Sequence, residues 1–93
     1  MLLEPLSRKD AKALIRAILR SGIVTYARPH ALERMAKRAI STVDCENVLY
    51  GGVVHDPELE NGTWRYRVET RKMCVVIRFE DDTVLQIVTA WRN

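Results

Sequence analysis

The chain has 93 residues, of which 47% are hydrophobic and 29% charged, and its formal net charge at pH 7 is +3. These values predict one small globular domain over residues 1–93, and they exclude a disordered chain, a collagen-like chain and a disulfide scaffold. No apolar stretch approaches the roughly 18 residues of a membrane span, and the first residues form no secretory leader. We therefore expect a cytoplasmic protein without a membrane partner.

Helical patterns fill the first half of the chain, up to about Tyr50. Ser7 followed by Asp10 is similar to a capping box and predicts a helix start, and Gly22 predicts a left-handed helix end. Apolar residues recur between these points at helical spacing: Ala11, Leu14, Ile15, Ile18 and Leu19. Basic residues occupy the remaining positions and predict a solvated face of an amphipathic helix.

Two shorter helices are predicted next. Ile23–Ala27 is an apolar link or a short strand, and Pro29 is suited to the first turn of the second helix. Ser41 and Asp44 repeat the cap pattern before a third helix that ends at Gly51–Gly52. Four basic or titratable side chains lie along one stripe of the second helix: His30, Arg34, Lys37 and Arg38.

The second half of the chain has strand patterns. Val53–Asp56 is short, Trp64–Thr70 alternates between apolar and charged residues, and Met73–Phe79 is nearly continuous in its apolar character. Asp81–Asp82 predicts a tight hairpin turn before a last strand, Val84–Trp91. Short turns between successive strands imply antiparallel pairing. The expected fold is α+β, with N-terminal helices on one face of an antiparallel sheet of about four strands.

The sequence lacks the common enzyme signatures, such as a phosphate-binding glycine loop or a nucleophile elbow. His30 and His55 do not stand at metal-ligand spacing, so we expect no metal and no cofactor, and a turn position is one of two open interpretations of His55. Arginine suits bidentate phosphate contacts, and aromatic rings stack on unpaired bases. The strand half carries both kinds of residue: Trp64, Arg65, Tyr66, Arg67, Arg78 and Trp91. This mixture favours RNA over duplex DNA as the partner.

Each of these residues also has a structural interpretation. Trp64 and Tyr66 share one strand face and are suited to a core. Arg65 and Arg67 are suited to ion pairs with nearby glutamates on a solvated face. His30 is suited to capping or packing at a helix start. The residue pattern leaves both interpretations open.

A more specific pattern extends from Pro29 to Trp91. It consists of His30, Arg34 and Arg38 at four-residue spacing, the strand motif Gly62–Val68, and a terminal Val-Thr-Ala-Trp. The pattern resembles a domain-of-unknown-function family of small bacterial and archaeal proteins, often encoded beside zinc-ribbon antitoxins of the MqsA type. That family is grouped with the RelE/ParE and MqsR toxins, which share a ribonuclease-like α+β fold.

The resemblance implies the toxin of a type II toxin–antitoxin system, a metal-independent mRNA endoribonuclease whose target is mRNA, free or on the ribosome. A protein antitoxin, with the zinc-ribbon type as the first candidate, would hold it inactive. The implied catalytic residues are His30 as general base or acid, Arg65, and Tyr66 as proton donor or base-stacking group. The expected RNA-binding residues are Arg34, Lys37, Arg38, Arg67, Arg78 and Trp64.

Two other functions are compatible with the same residues. The first is a non-catalytic module of this fold that binds RNA or a protein, including a ParE-like poison of a topoisomerase. The second is a subunit of an oligomer, such as a homo-oligomer, in which the sheet edge Val84–Val88 pairs with a partner strand.

Overall fold

The computed structural model describes residues 2–93, which form three helices and six strands. The helices are α1 (Arg8–Ser21), α2 (Ala31–Lys37) and α3 (Thr42–Gly51). The strands are β1 (Ile23–Tyr26), β2 (Val53–Val54), β3 (Glu58–Glu60), β4 (Thr63–Glu69), β5 (Met73–Phe79) and β6 (Val84–Arg92). The predicted α+β class is therefore confirmed. Within residues 2–93, every helix is too short or too polar to cross a membrane.

The sheet differs from the predicted antiparallel sheet of about four strands. Its order is β1-β6-β5-β4-β2, with β3 paired to β4 alone. All pairs are antiparallel except β1 with β6, which run parallel. The predicted free edge at Val84–Val88 is wrong, because Val84–Ile87 pairs with β1 on one side and β6 pairs with β5 on the other. Hydrogen bonds between the first and last strands join distant parts of the chain, so no local pattern indicated them.

One face of the sheet packs against the helices and the other face is open. The core joins residues of all three helices to alternate residues of the strands, such as Tyr66, Val68, Val75, Ile77 and Ile87. Because side chains alternate along a strand, their neighbours point to the opposite side. We call this side the open face. It carries Arg65, Arg67, Glu69, Val76, Arg78, Gln86, Thr89 and Trp91.

Two cations of α1 contact α3 rather than water alone. Lys12 Nζ donates to the carbonyl oxygens of Leu49 and Gly52, and Arg16 donates to the Tyr50 carbonyl oxygen at 3.3 Å. These carbonyls belong to the C-terminal end of α3, where backbone acceptors lack helical partners and a positive charge is favourable. Burial lowers the pKa of Lys12. The solvated face predicted for α1 is therefore partly a contact with α3.

The predicted N-caps of α1 and α3 are present. The Ser7 hydroxyl accepts from the Asp10 N–H at 3.0 Å. Ser41 and Asp44 form a full capping box, with distances of 3.0 and 2.9 Å. Gly22 does end α1, but its backbone is extended, with φ −103°, rather than left-handed. Glycine is needed there for space, because a Cβ would lie 2.3 Å from the Thr83 carbonyl oxygen.

This crowding gives a testable difference between two glycines. Gly22→Ala is expected to lower the free energy of unfolding by about 1–3 kcal/mol, since the Thr83 backbone cannot move away easily. Gly51→Ala is the matched control: it adds the same methyl group at the end of α3, where nothing lies within 4 Å. Urea denaturation compares both variants with the wild type. Equal destabilisation by the two substitutions would contradict the assigned contact.

Candidate functional site

The stripe predicted on α2 lies at the edge of β6. His30 is the N-cap residue of α2, but its ring makes no capping hydrogen bond. Its Nδ1 lies 3.3 Å from Glu33 Oε2, and its side chain is 60% exposed. Arg34 and Lys37 are exposed. Arg38 donates from Nη1 to the Ala90 carbonyl oxygen at 2.7 Å, so this guanidinium covers a backbone acceptor of β6.

Tyr66 and Trp64 lie on the buried side of β4, away from the open face. Tyr66 is 0% exposed and its ring packs 5.1 Å from that of Phe79, centroid to centroid. Its hydroxyl donates to Glu4 Oε2 at 2.8 Å and accepts from the Leu6 N–H at 3.0 Å. Trp64 packs against the same core. These placements support the core interpretation of both rings, because period-two alternation puts them on the face that the helices cover. Their predicted contacts with RNA stay predictions.

Three arginines of adjacent strands share the open face. Arg65 Nη1 lies 3.5 Å from Glu60 Oε2, and its Nε is buried with no hydrogen-bond partner among residues 2–93. The strand register sets Arg65 opposite Arg78, whose Nε donates to Gln86 Oε1 at 3.0 Å. Arg67 is exposed and forms no ion pair or side-chain hydrogen bond within the described residues. Arg67 is therefore the guanidinium that is free to take an anion.

The arrangement that sequence reasoning missed centres on His55. Its backbone N–H donates to the Arg67 carbonyl oxygen at 2.9 Å, which continues the β2–β4 register and sets His55 opposite Arg67 on the open face. Its Nε2 lies 2.9 Å from Glu69 Oε1. The other oxygen of Glu69 accepts from Asn93 Nδ2 at 3.1 Å. The side chains of His55 and Glu69 are each 37% exposed.

This geometry suits proton transfer at the surface. With Glu69 accepting from Nε2–H, the neutral His55 ring presents Nδ1 as a base. A carboxylate that orients an imidazole beside a cation is a recurring arrangement in acid–base catalysis. A cavity of about 690 Å³ borders this group, and its lining includes His55, Glu69, Arg71 and Asn93. A substrate therefore has access to the histidine.

The cysteines are not candidates for nucleophiles. Cys45 and Cys74 are both buried and free. Burial raises the pKa of each thiol to about 11, so the reactive thiolate is scarce at neutral pH. Among residues 2–93, no three His, Cys, Asp or Glu side chains converge as metal ligands do.

Comparison with known families identifies the family of the chain. The model of one family, a domain of unknown function (DUF4258), matches residues 27–92. The chain belongs to this family. No curated protein and no solved structure matches the chain.

The DUF4258 match extends from the loop before α2 to the end of β6, so it includes the α2 stripe and the open face. It confirms the domain-of-unknown-function part of the resemblance, and the relation to toxins stays a prediction. The two groups of predicted site residues lie apart in this DUF4258 domain. The α2 stripe borders β6, and β4 lies two strands away, roughly 10 Å at the usual spacing. The cavities beside His55 and beside Arg65 have no α2 residue in their linings.

Proposed function

We propose that this DUF4258 protein is a metal-independent endoribonuclease that binds single-stranded mRNA on its open face. One observation carries the proposal: Arg67, which has no ion pair within residues 2–93, stands opposite His55, whose ring is oriented by Glu69 at 2.9 Å. RNA cleavage without a metal needs a base for the 2′-hydroxyl and a cation for the phosphorane. These neighbouring side chains supply both groups.

The proposed reaction is transesterification. His55 Nδ1 removes the proton of the 2′-hydroxyl, and the 2′-oxygen forms a bond to the adjacent phosphorus. The bond from phosphorus to the 5′-oxygen breaks, and that oxygen takes a proton from water. The products are a 2′,3′-cyclic phosphate and a 5′-hydroxyl. Arg67 neutralises the charge that grows on the phosphorane oxygens, an effect worth about 10²–10³-fold per donor in comparable sites.

Neighbouring groups on the open face supply binding energy for the rest of the RNA. Arg65 is partly buried and lines the cavity on this face, so its guanidinium can contact a phosphate oxygen there. Arg78 of β5, whose Nη2 lies 3.8 Å from Glu80 Oε1, adds a third guanidinium to this face. Trp91 lies on the same face of β6 and offers a partly buried ring for base stacking. In this proposal Trp91 takes the base-stacking role that was predicted for Trp64 and Tyr66.

The decisive experiment is cleavage of purified mRNA by the purified protein in the presence of EDTA. We expect fragments that end in a 2′,3′-cyclic phosphate. Intact RNA over hours at excess protein, together with harmless overexpression in cells, would overturn the proposal. Binding of RNA without cleavage would instead identify the non-catalytic module.

The free arginine provides the first variant. Arg67→Ala is expected to lower kcat by about 10²-fold, because the growing phosphorane charge loses its cation. It should also reduce the salt dependence of RNA binding by about one unit of slope. Arg20→Ala is the matched control, since it removes the same charge from an exposed position of α1. Equal effects of the two substitutions on kcat would show that Arg67 has no specific role in the reaction.

We further propose that the protein is a type II toxin whose antitoxin covers the open face. Arg67 on the open face, unpaired among the described residues, favours an acidic partner segment, since opposite charges raise the association rate. A zinc-ribbon protein encoded next to the gene is the first candidate. Because mRNA is the substrate, the place of action would be the cytoplasm. Coexpression should restore growth, and the purified pair should not cleave RNA.

A further inference from the structure

A second cavity, of about 180 Å³, lies between the β3–β4 hairpin and the open face. Arg65, Arg67 and Val76 belong to the central strands and form its floor. Trp91 of β6 lies on one side, and Glu58 and Glu60 of β3 lie on the other. Arg67 lines this cavity and stands opposite His55 in the strand register, so a group bound here would neighbour a phosphate at Arg67.

The carboxylates around this cavity are not equivalent. Glu60 pairs with Arg65 at 3.5 Å, and Asp56 pairs with Arg8 at 3.3 Å. Glu58 stands directly opposite Arg65 in the β3–β4 register, but it makes no ion pair or side-chain hydrogen bond within residues 2–93. Glu58 is therefore the acceptor of this cavity that remains free for a ligand.

An aromatic ring on one side of a cavity and a carboxylate on the other suit a nucleobase. Unpaired bases are recognised by stacking on aromatic rings and by hydrogen bonds along their Watson–Crick edge. A carboxylate accepts hydrogen bonds only, so it favours an edge that carries donors. Guanine offers two adjacent donors, N1–H and the N2 amino group, one for each oxygen. Adenine and cytosine offer one amino group beside an acceptor, and uracil places its single donor between two carbonyls.

We propose that this cavity selects guanine next to the cleaved phosphate, with Trp91 stacking on the base and Glu58 accepting from N1–H and N2–H. The position of the guanine relative to the cut rests on the proposed ribonuclease function. The binding preference itself does not.

The test uses four five-nucleotide RNAs with uridine at every position except the centre, which is G, A, C or U. Binding to the inactive His55→Ala variant is measured by fluorescence anisotropy, and cleavage by the wild type is measured in EDTA. We expect the G-centred RNA to bind about tenfold more tightly than the all-uridine RNA and to be cut beside the guanine. Adding Glu58→Gln should reduce that preference to about twofold or less, because the amide keeps only one acceptor.

Glu46→Gln, added to the same His55→Ala background, is the matched control: it makes the same charge change at an exposed position of α3 and should leave the tenfold preference intact. Trp91→Phe should retain the preference, and Trp91→Ala should weaken binding of all four RNAs. Equal binding of the four RNAs overturns the guanine site and leaves the ribonuclease proposal standing. Guanine preference without cleavage supports the site and overturns the ribonuclease. Absence of binding to any RNA overturns the guanine site whatever the cleavage assay gives.

Discussion

His55→Ala is expected to lower the rate of RNA cleavage by about 10²–10⁴-fold, the usual loss when a general acid–base group is removed. The physical reason is the pairing of the ring with Glu69 at 2.9 Å, which orients the imidazole beside Arg67. The side chain is 37% exposed, so its removal leaves no large cavity. Single-turnover cleavage of a labelled RNA in EDTA measures the effect, and circular dichroism checks the fold.

The chain offers a matched comparison, because its other histidine also faces a glutamate. His30 Nδ1 lies 3.3 Å from Glu33 Oε2, but this pair is exposed on α2 and no open-face arginine neighbours it. His30→Ala is therefore expected to change the rate less than about threefold, the scale of an exposed ion pair. The reverse result, with His30→Ala inactive and His55→Ala active, would show that His30 is the catalytic histidine and that the active site lies on α2.

Tyr66→Ala is expected to destabilise the fold by about 3–5 kcal/mol, the range for removal of a buried aromatic ring. The ring is fully buried against Phe79, and its hydroxyl connects the N-terminal segment to the core through Glu4 and Leu6. Tyr66→Phe keeps the ring and loses only the two hydrogen bonds, which should cost about 1 kcal/mol. Urea denaturation at neutral pH distinguishes these two contributions.

The same pair of variants separates a structural role from a catalytic one. If Tyr66 only holds the fold together, Tyr66→Phe cleaves RNA at nearly the wild-type rate under folding conditions. A loss of 10²-fold or more, about the effect of a lost proton donor, would show that the hydroxyl takes part in the reaction. That outcome requires the N-terminal segment to leave its place over Tyr66 when RNA binds.

Alkaline pH gives an independent check on Tyr66. Burial raises the pKa of its hydroxyl to about 12 in the folded protein, above the usual value of 10.0. The unfolded chain therefore loses this proton first as the pH rises. The contribution of the neutral hydroxyl to stability is complete below pH 10 and disappears as the pH approaches 12. The stability difference between the wild type and Tyr66→Phe should consequently shrink over that interval.

Part of the candidate site could be predicted from the sequence. The alternation in β4 placed Arg65 and Arg67 on one face and Trp64 with Tyr66 on the other, although it did not say which face is buried. Which face of β4 is buried depends on the side of the sheet that the helices cover. The amphipathic pattern of α1 indicates that a helix packs on the sheet, but not on which side.

The sequence contains a signal for β3 in the dipeptide Asn61–Gly62 that follows it. Asn61 and Gly62 have φ values of +51° and +79°, the backbone that a two-residue hairpin turn requires and that this dipeptide favours. Together with the alternation of Glu58, Leu59 and Glu60, the dipeptide predicts the β3–β4 hairpin. The predicted strands do not include this segment, and the structure shows that β3 brings Glu58 to the open face.

The sequence by itself determined the features that depend on neighbours within a few residues. The capped starts of α1 and α3 and the strands β4, β5 and β6 arise from hydrogen bonds and side-chain periods that are local in the chain. The tight turn predicted at Asp81–Asp82 is instead a connection of four residues, Glu80 to Thr83. Only the tertiary structure decided that β1 pairs with β6 and that His55 meets Glu69 beside Arg67. Those contacts come from strand register, and register is set by burying one face of the whole sheet, a condition that no short segment contains.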